Sequence, residues 1–236
     1  VGLLTMSEMV SRAAALAAVV GDLPLIADAD TGYGNPINVR RTIREYEHAG
    51  VAGVHIEDQV WPKKCGHMEG KQVIPMQEMI QKVRAAVDAR QDPDFVIIAR
   101  TDSNAVYGLE DALQRGQAYR EAGADVIFIE APRSIAELQA IVQAFPDVPL
   151  LFNWANSSKT PPLSLEEIRG LGFKLVIMPV SLLFAATHSM LQLLELLKQG
   201  QVPTAFESQM VTFAQFTDQI GLPEIQALER RYGVNS

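Results

Sequence analysis

Phe95-Val96-Ile97-Ile98-Ala99-Arg100-Thr101-Asp102 is a short, β-branched, nearly continuous apolar run that ends abruptly in charge. A run of this kind suits a strand covered on both faces, and its polar close marks where the cover stops. The pattern recurs along the chain. Candidate strands lie at 23–28, 53–57, 95–101, 125–130, 149–153 and 175–179, and amphipathic helical stretches at 38–49, 77–90, 109–122, 135–145 and 165–171 separate them. Two of the helix-to-strand joints, His48-Ala49-Gly50-Val51-Ala52-Gly53 and Glu121-Ala122-Gly123-Ala124-Asp125, repeat one turn, with Gly just past the helix end.

This βα repetition leaves a doubly wound sheet or a closed (β/α)₈ barrel. The strand ends choose between them. Asp28 with Asp30, Glu57, Arg100 with Asp102, Glu130 and Asn153 close five different strands. Function spread over many strand ends is the habit of a barrel, whereas a doubly wound sheet gathers it at one switch point. No Gly-x-Gly-x-x-Gly follows the first strand either. The expected fold is therefore an α/β TIM-type barrel over 1–200. Six strands are two short of eight and the chain opens on Val1-Gly2-Leu3-Leu4, so the expectation is that an upstream segment carries the first two. Beyond 179 the pattern turns helical through 182–198, becomes less regular, and closes on a helical stretch at 222–232. Residues 201–236 read as a C-terminal helical extension, packed on its own barrel or on another subunit of a homo-oligomer such as a tetramer.

Composition fits one soluble unit of this size: 236 residues, 48% hydrophobic and 20% charged. No apolar run reaches the ~18 residues of a spanning helix and no leader pattern opens the chain, so neither membrane nor export is expected and the setting reads as cytoplasmic. A net charge of −8 argues against nucleic acid as partner. The single cysteine, Cys65, cannot staple the fold.

Cys65 lies in Lys63-Lys64-Cys65-Gly66-His67, where flanking cations and a flexible Gly equip a thiol for proton exchange. Asp28-Ala29-Asp30 spaces two carboxylates at i and i+2, which a continuing strand would turn to one face; such hard oxygen donors suit Mg²⁺. The alternative is a helix cap and turn pair, because Asp30-Thr31-Gly32-Tyr33-Gly34-Asn35-Pro36 is dense in turn formers. His55-Ile56-Glu57-Asp58 repeats the arrangement one strand later, with His55 and Glu57 on one face and Asp58 on the other or already in the loop. Several carboxylates converging on one mouth repel unless a cation holds them. Arg100 has the planar fork to clamp a substrate carboxylate, or else forms an ion pair with Glu130 or Glu57.

Taken in order, Asp28-Ala29-Asp30-Thr31-Gly32-Tyr33-Gly34, His55-Ile56-Glu57-Asp58-Gln59, Lys63-Lys64-Cys65-Gly66-His67, Ile98-Ala99-Arg100-Thr101-Asp102 and Asn153 resemble the signature of the isocitrate lyase and phosphoenolpyruvate mutase superfamily. The resemblance implies a barrel enzyme with Mg²⁺, or Mn²⁺ in its place, and a small dicarboxylate substrate. It also implies a loop that closes over the substrate with Cys65 as proton donor in carbon–carbon cleavage. By the same resemblance Lys63, His67 and Glu57 join Cys65 in catalysis, and Asp28, Asp30 and, in the outer sphere, Glu57 hold the metal. Gly66, Arg100, Glu130, Asn153 and His67 would contact the substrate. The Cys-Gly-His loop is similar to the lyase branches rather than to most phosphorus-transferring ones. Where methylisocitrate lyases carry Arg-Pro-Asn after that loop, this chain has Met68-Glu69-Gly70, and Phe184 aligns with the Arg those enzymes use for a third carboxylate. An unpaired buried carboxylate is costly. The resemblance therefore points to a lyase of 2-alkylmalates such as 2,3-dimethylmalate. Oxaloacetate acetylhydrolase comes next, then methylisocitrate lyase or carboxyphosphonoenolpyruvate mutase, and last an inert scaffold.

Overall fold

The computed structural model describes residues 2–66, 68–155 and 160–233. Six strands run β1 (Ile26–Asp28), β2 (Gly53–Glu57), β3 (Val96–Thr101), β4 (Val126–Ile129), β5 (Leu151–Asn153) and β6 (Leu175–Ile177). β1 to β4 pair in chain order, every pair parallel, and β5 pairs parallel with β6. A parallel bridge between Ile127 and Leu150 joins β4 to the start of β5. All six thus follow one another as in an α/β barrel, and among the described residues the sheet does not close. Helices α1 (Met6–Val20), α2 (Pro36–His48), α3 (Met76–Ala89), α4 (Leu109–Glu121), α5 (Ile135–Ala144) and α6 (Leu165–Leu171) alternate with the strands. The repeated joint is present at both places: Gly50 (φ 82°) and Gly123 (φ 107°) turn the chain out of α2 and α4.

The pleat sorts the side chains. Val54 and Ile56, Ile97 and Ala99, Ile127 and Ile129, and Phe152 enter the core shared with α2 to α6, beside Ile43, Met79, Tyr119, Leu138 and Ile168. Their neighbours Ile98, Val126, Phe128 and Leu151, with Ile26, Val96, Leu175 and Ile177, form a second cluster on the opposite, inner face. Continuing the inner parity by period two reaches Asp28, His55, Glu57, Arg100, Glu130 and Asn153. Strand alternation alone therefore gathers these side chains at one end of one face.

The start of β1 differs from the sequence reading, and the strand does not continue past its expected end to Asp30. β1 starts at Ile26 rather than at residue 23, because Pro24 has no N–H to give a ladder. β1 also stops at Asp28, where the chain turns: Asp30 N–H donates to Asp28 Oδ1 at 2.8 Å and Asp30 takes a positive φ of 48°. The i, i+2 argument for Asp28 and Asp30 thus fails as a strand argument, and the turn brings the two carboxylates together instead.

The described residues fall into two compact units that divide between Pro179 and Val180. The second holds α7 (Ser181–Lys198), a 3₁₀ turn (Pro203–Gln209), α8 (Phe213–Gln219) and α9 (Leu222–Tyr232). The 3₁₀ turn and α8 occupy the stretch that reads as irregular. Phe206 is buried there, whereas Leu182, Phe184, Met190, Leu191 and Leu194 of α7 are exposed. No described helix is long and apolar enough to cross a membrane.

β2 and β3 approach so closely at Gly53 that an added Cβ would lie 2.6 Å from Val96 O and 2.8 Å from Val96 Cβ. Gly53→Ala should therefore lower stability by about 1–3 kcal/mol in urea unfolding, as overpacking does. Gly170→Ala on α6 meets nothing within 4 Å and should be neutral or gain up to about 1 kcal/mol. Equal midpoints for the two variants would contradict the close approach.

Candidate active site

Lys63 is the centre of the inner strand ends. Its ammonium lies 2.8 Å from Asp30 Oδ1, 3.2 Å from Asp28 Oδ2 and 3.9 Å from Glu57 Oε2. These contacts, chiefly with Asp28 and Glu57, outweigh the desolvation that works against its charge, so its pKa is raised. Asp28 is also pushed up by burial, but His55 and Lys63 overcome this and bring it down to about 2. His55 lies 3.7 Å from Asp28 through Nδ1, a nitrogen that makes no hydrogen bond, and burial drives its pKa down. Neither oxygen of Glu57, which is fully buried, makes a hydrogen bond. Burial raises its pKa to about 8 against the pull of Arg100, whose Nε is 3.4 Å away.

Arg100 forms a fork with Asp102, Nε to Oδ2 at 2.8 Å and Nη2 to Oδ1 at 3.1 Å, and reaches Glu130 at 3.8 Å. The ion-pair option is present, with Glu57 and Glu130, but the principal partner is Asp102, which occupies the planar fork. Its guanidinium stacks 5.0 Å over the Phe128 ring, whose edge-to-face neighbour is His55. Asn153 Nδ2 donates to both Glu130 oxygens at 3.2 Å, while its own Oδ1 is buried without a hydrogen-bond partner.

The loop after β2 covers this end. An antiparallel bridge between Gln59 and Val73 closes its base, and the Gln59 amide clasps Lys64 through both backbone groups at 2.8 and 3.0 Å. Gly66 is packed so tightly that a Cβ there would run into Glu130 Oε1 and lie 2.6 Å from Arg100 Nη2. Any larger residue would have to displace the ends of the Glu130 and Arg100 side chains for the loop backbone to come this near the strand ends. Cys65, beside it, is exposed. His67, expected to contact substrate, lies outside the described residues.

The structure adds residues that sequence reasoning did not select. Lys71, with its side chain 2% exposed, donates to Asp102 Oδ1 at 2.8 Å and to Gly66 O. On the outer face Asp58 accepts from Thr101 Oγ1 (2.7 Å), Tyr119 OH (2.8 Å), Arg115 Nη1 (3.1 Å) and the Asp102 N–H (2.9 Å). Asp111, Arg115 and Tyr119 follow at i, i+4 and i+8 on α4; that polar stripe on an otherwise core-facing helix was the available signal.

Five carboxylates (Asp28, Asp30, Glu57, Asp102, Glu130) thus meet three cations (Lys63, Lys71, Arg100) at one mouth. With Glu57 lacking hydrogen bonds on both oxygens and Lys63 standing between Asp28 and Asp30 as a stand-in cation, the Asp28–Asp30 pair fits a divalent ion. Among the described residues no three acidic, His or Cys side chains converge as a full ligand cage. Asp28 and Asp30 are the carboxylates on offer, and one or two are what Mg²⁺ takes from a protein.

Comparison with known proteins identifies the family. Residues 2–198 match the family described as phosphoenolpyruvate phosphomutase. The chain is 47% identical over 232 residues to 2,3-dimethylmalate lyase of Eubacterium barkeri, covering 98% of this chain and 80% of that one. The solved structure of oxaloacetate acetylhydrolase with 3,3-difluorooxalacetate superposes with a TM-score of 0.91 at 34% identity, over 100% of this chain and 80% of that one. Phosphonopyruvate hydrolase complexed with oxalate and Mg²⁺ gives 0.83 at 31%, over 98% and 80%. The chain belongs to the phosphoenolpyruvate phosphomutase family, within the superfamily that also contains isocitrate lyase.

Proposed function

We propose that this chain is a carbon–carbon lyase that splits a 2-alkylmalate-type dicarboxylate, with 2,3-dimethylmalate as the reference substrate, into a 2-oxo acid and a second carboxylic acid. The observation that carries this reading is the seating of Gly66 against Glu130 and Arg100, which sets the thiol-bearing loop beside the charged strand ends. The 47% identity to a dimethylmalate lyase over nearly the whole chain supports the same choice.

Breaking the C2–C3 bond requires that the C2 hydroxyl lose its proton, that C2 become a carbonyl, and that the electron pair left on C3 be protonated. In this reading Glu57 takes the hydroxyl proton in its ionised form, which a cation held at Asp28 and Asp30 would favour; its oxygens carry no hydrogen bond that would compete. Cys65 delivers the proton to C3, with Lys63 and His67 beside it on the loop. Arg100, Asn153, Glu130, Gly66 and His67 orient the substrate. Asp28 and Asp30, with Glu57 in the outer sphere, would hold Mg²⁺, or Mn²⁺ in its place. When bound, the ion supplies positive charge where the oxo-acid oxygens gain negative charge. The exposed apolar side chains of α7 support a homo-oligomer, for which we propose a tetramer.

Pyruvate release from 2,3-dimethylmalate should require Mg²⁺ and stop in EDTA. No turnover of any malate or oxaloacetate analogue would refute the lyase reading, and oxalate plus acetate from oxaloacetate would replace it with the hydrolase. Cys65→Ser should lower the cleavage rate by about 10² or more while calorimetric Mg²⁺ binding stays unchanged; an unchanged rate would remove Cys65 from the chemistry.

Glu57 also gives a pH test. Its folded-state pKa of about 8 lies above the ordinary 4.5, so the folded chain keeps a proton that the unfolded chain releases between those values. Stability from this group is full below about 4.5 and falls as pH rises towards 8. In EDTA, wild-type Tm should therefore decline across pH 5–8 more steeply than that of Glu57→Gln, and Mg²⁺ should reduce the difference. Parallel profiles in EDTA would contradict the buried, proton-holding carboxyl.

A further inference from the structure

Lys71 is a buried ammonium to which the proposed chemistry gives no task. It stands where the loop returns towards the sheet, and its side chain is almost wholly enclosed. Two groups receive its protons: Asp102 Oδ1 at 2.8 Å, and the carbonyl of Gly66. Asp102 in turn holds Arg100 in a two-pronged pair, and its backbone N–H is fixed by Asp58. The end of β3 is thereby rigid from both faces. The Gly66 carbonyl belongs to the loop, one residue from Cys65.

The other described contacts flank this segment without reaching Asp102 or Arg100. Gln59 clasps the Lys64 backbone, Lys63 pairs with Asp28 and Asp30, the Met68 N–H donates to Cys65 O at 2.9 Å, and Lys64 Nζ donates to the carbonyls of Glu69 (3.3 Å) and Gly70 (2.9 Å). Lys71 instead ties the Cys65–Gly66 segment to the strand end that carries Arg100. A charged donor to a carbonyl in a dry setting is among the stronger hydrogen bonds. The alternative purpose, neutralising Asp102, is already served by the Arg100 fork, so the Gly66 contact is what Lys71 adds.

We propose that Lys71 is a positioning residue that docks the Cys65–Gly66 segment onto the Asp102–Arg100 pair, so that one ammonium sets both the thiol's location and the guanidinium's orientation. This deepens the lyase reading and rests on it for its catalytic meaning, but the docking itself can be measured without substrate.

The test is limited trypsin digestion of the intact protein, with cleavage after Lys63 and Lys64 followed by mass spectrometry against sites elsewhere. Lys71→Met should raise loop cleavage by about tenfold or more, because proteolysis follows the population of the undocked loop. Cleavage outside the loop should stay at the wild-type rate, and Lys71→Arg, which keeps the charged donor, should return loop cleavage towards wild type. A smaller rise, an equal rise at all sites, or no recovery with Arg overturns the proposal. If the Met variant does not fold, Lys71→Gln carries the same comparison. In turnover of 2,3-dimethylmalate, Lys71→Met should lower kcat more than it changes KM. A wild-type enzyme without lyase activity would refute the substrate assignment and leave the digestion result standing.

Discussion

Charge balance at the inner strand ends is the constraint on which the rest of this structure depends. Five acids crowd the ends of β1 to β4, and a sheet cannot hold them there by packing alone, since like charges at close range and low dielectric destabilise one another steeply. Three cations answer them: Lys63 of the loop after β2 meets Asp28, Asp30 and Glu57, Arg100 of β3 meets Asp102, Glu57 and Glu130, and Lys71 of the loop joins Arg100 at Asp102. The loop is thus held by the acids as much as the acids are relieved by the loop.

Glu57 and Asp58 are sequence neighbours with opposite duties, and the pleat is the reason. Glu57 faces inward and is left without hydrogen bonds, a state that suits a group meant to exchange a proton or meet a hydrated cation. Asp58 faces outward and accepts four hydrogen bonds, from Thr101, Asp102, Arg115 and Tyr119. The saturated carboxylate ties β2, β3 and α4 together beneath the site, and the unsaturated one remains available above it. A shift of register by one residue would exchange these duties and disable both.

Much of this was legible in the sequence because periods of 2 and 3.6 carry information locally. The six strands, the helices between them and the Gly50 and Gly123 joints follow from pattern and turn chemistry, and the inward set from Asp28 to Asn153 follows from parity. The ordered motifs identified the family. What was not legible required the third dimension. The meeting of Asp28 with Asp30 depends on a turn with positive φ at Asp30, not on a strand. Lys71 is one lysine in a polar loop, with no periodicity to show that it is buried against a residue 31 positions away. Arg115 looks like an ordinary helix charge until its partner Asp58 is seen.

Lys63 and Cys65 occupy positions i and i+2 of one loop, and that spacing links electrostatics to chemistry. Lys63 is drawn to Asp28, Asp30 and Glu57, and Gly66, lacking a side chain, fits close beside Glu130 and Arg100. Neutralising the acids and bringing in the thiol are therefore one event. A divalent ion at Asp28 and Asp30 would take over part of the neutralisation and free the Lys63 ammonium for the negative charge of a bound dicarboxylate. The loop would then be held by substrate rather than by the protein's own acids. The contacts that remain independent of ion and substrate, Gln59 at the base and Lys71 at Gly66, are the ones able to keep the thiol in place through that exchange of partners.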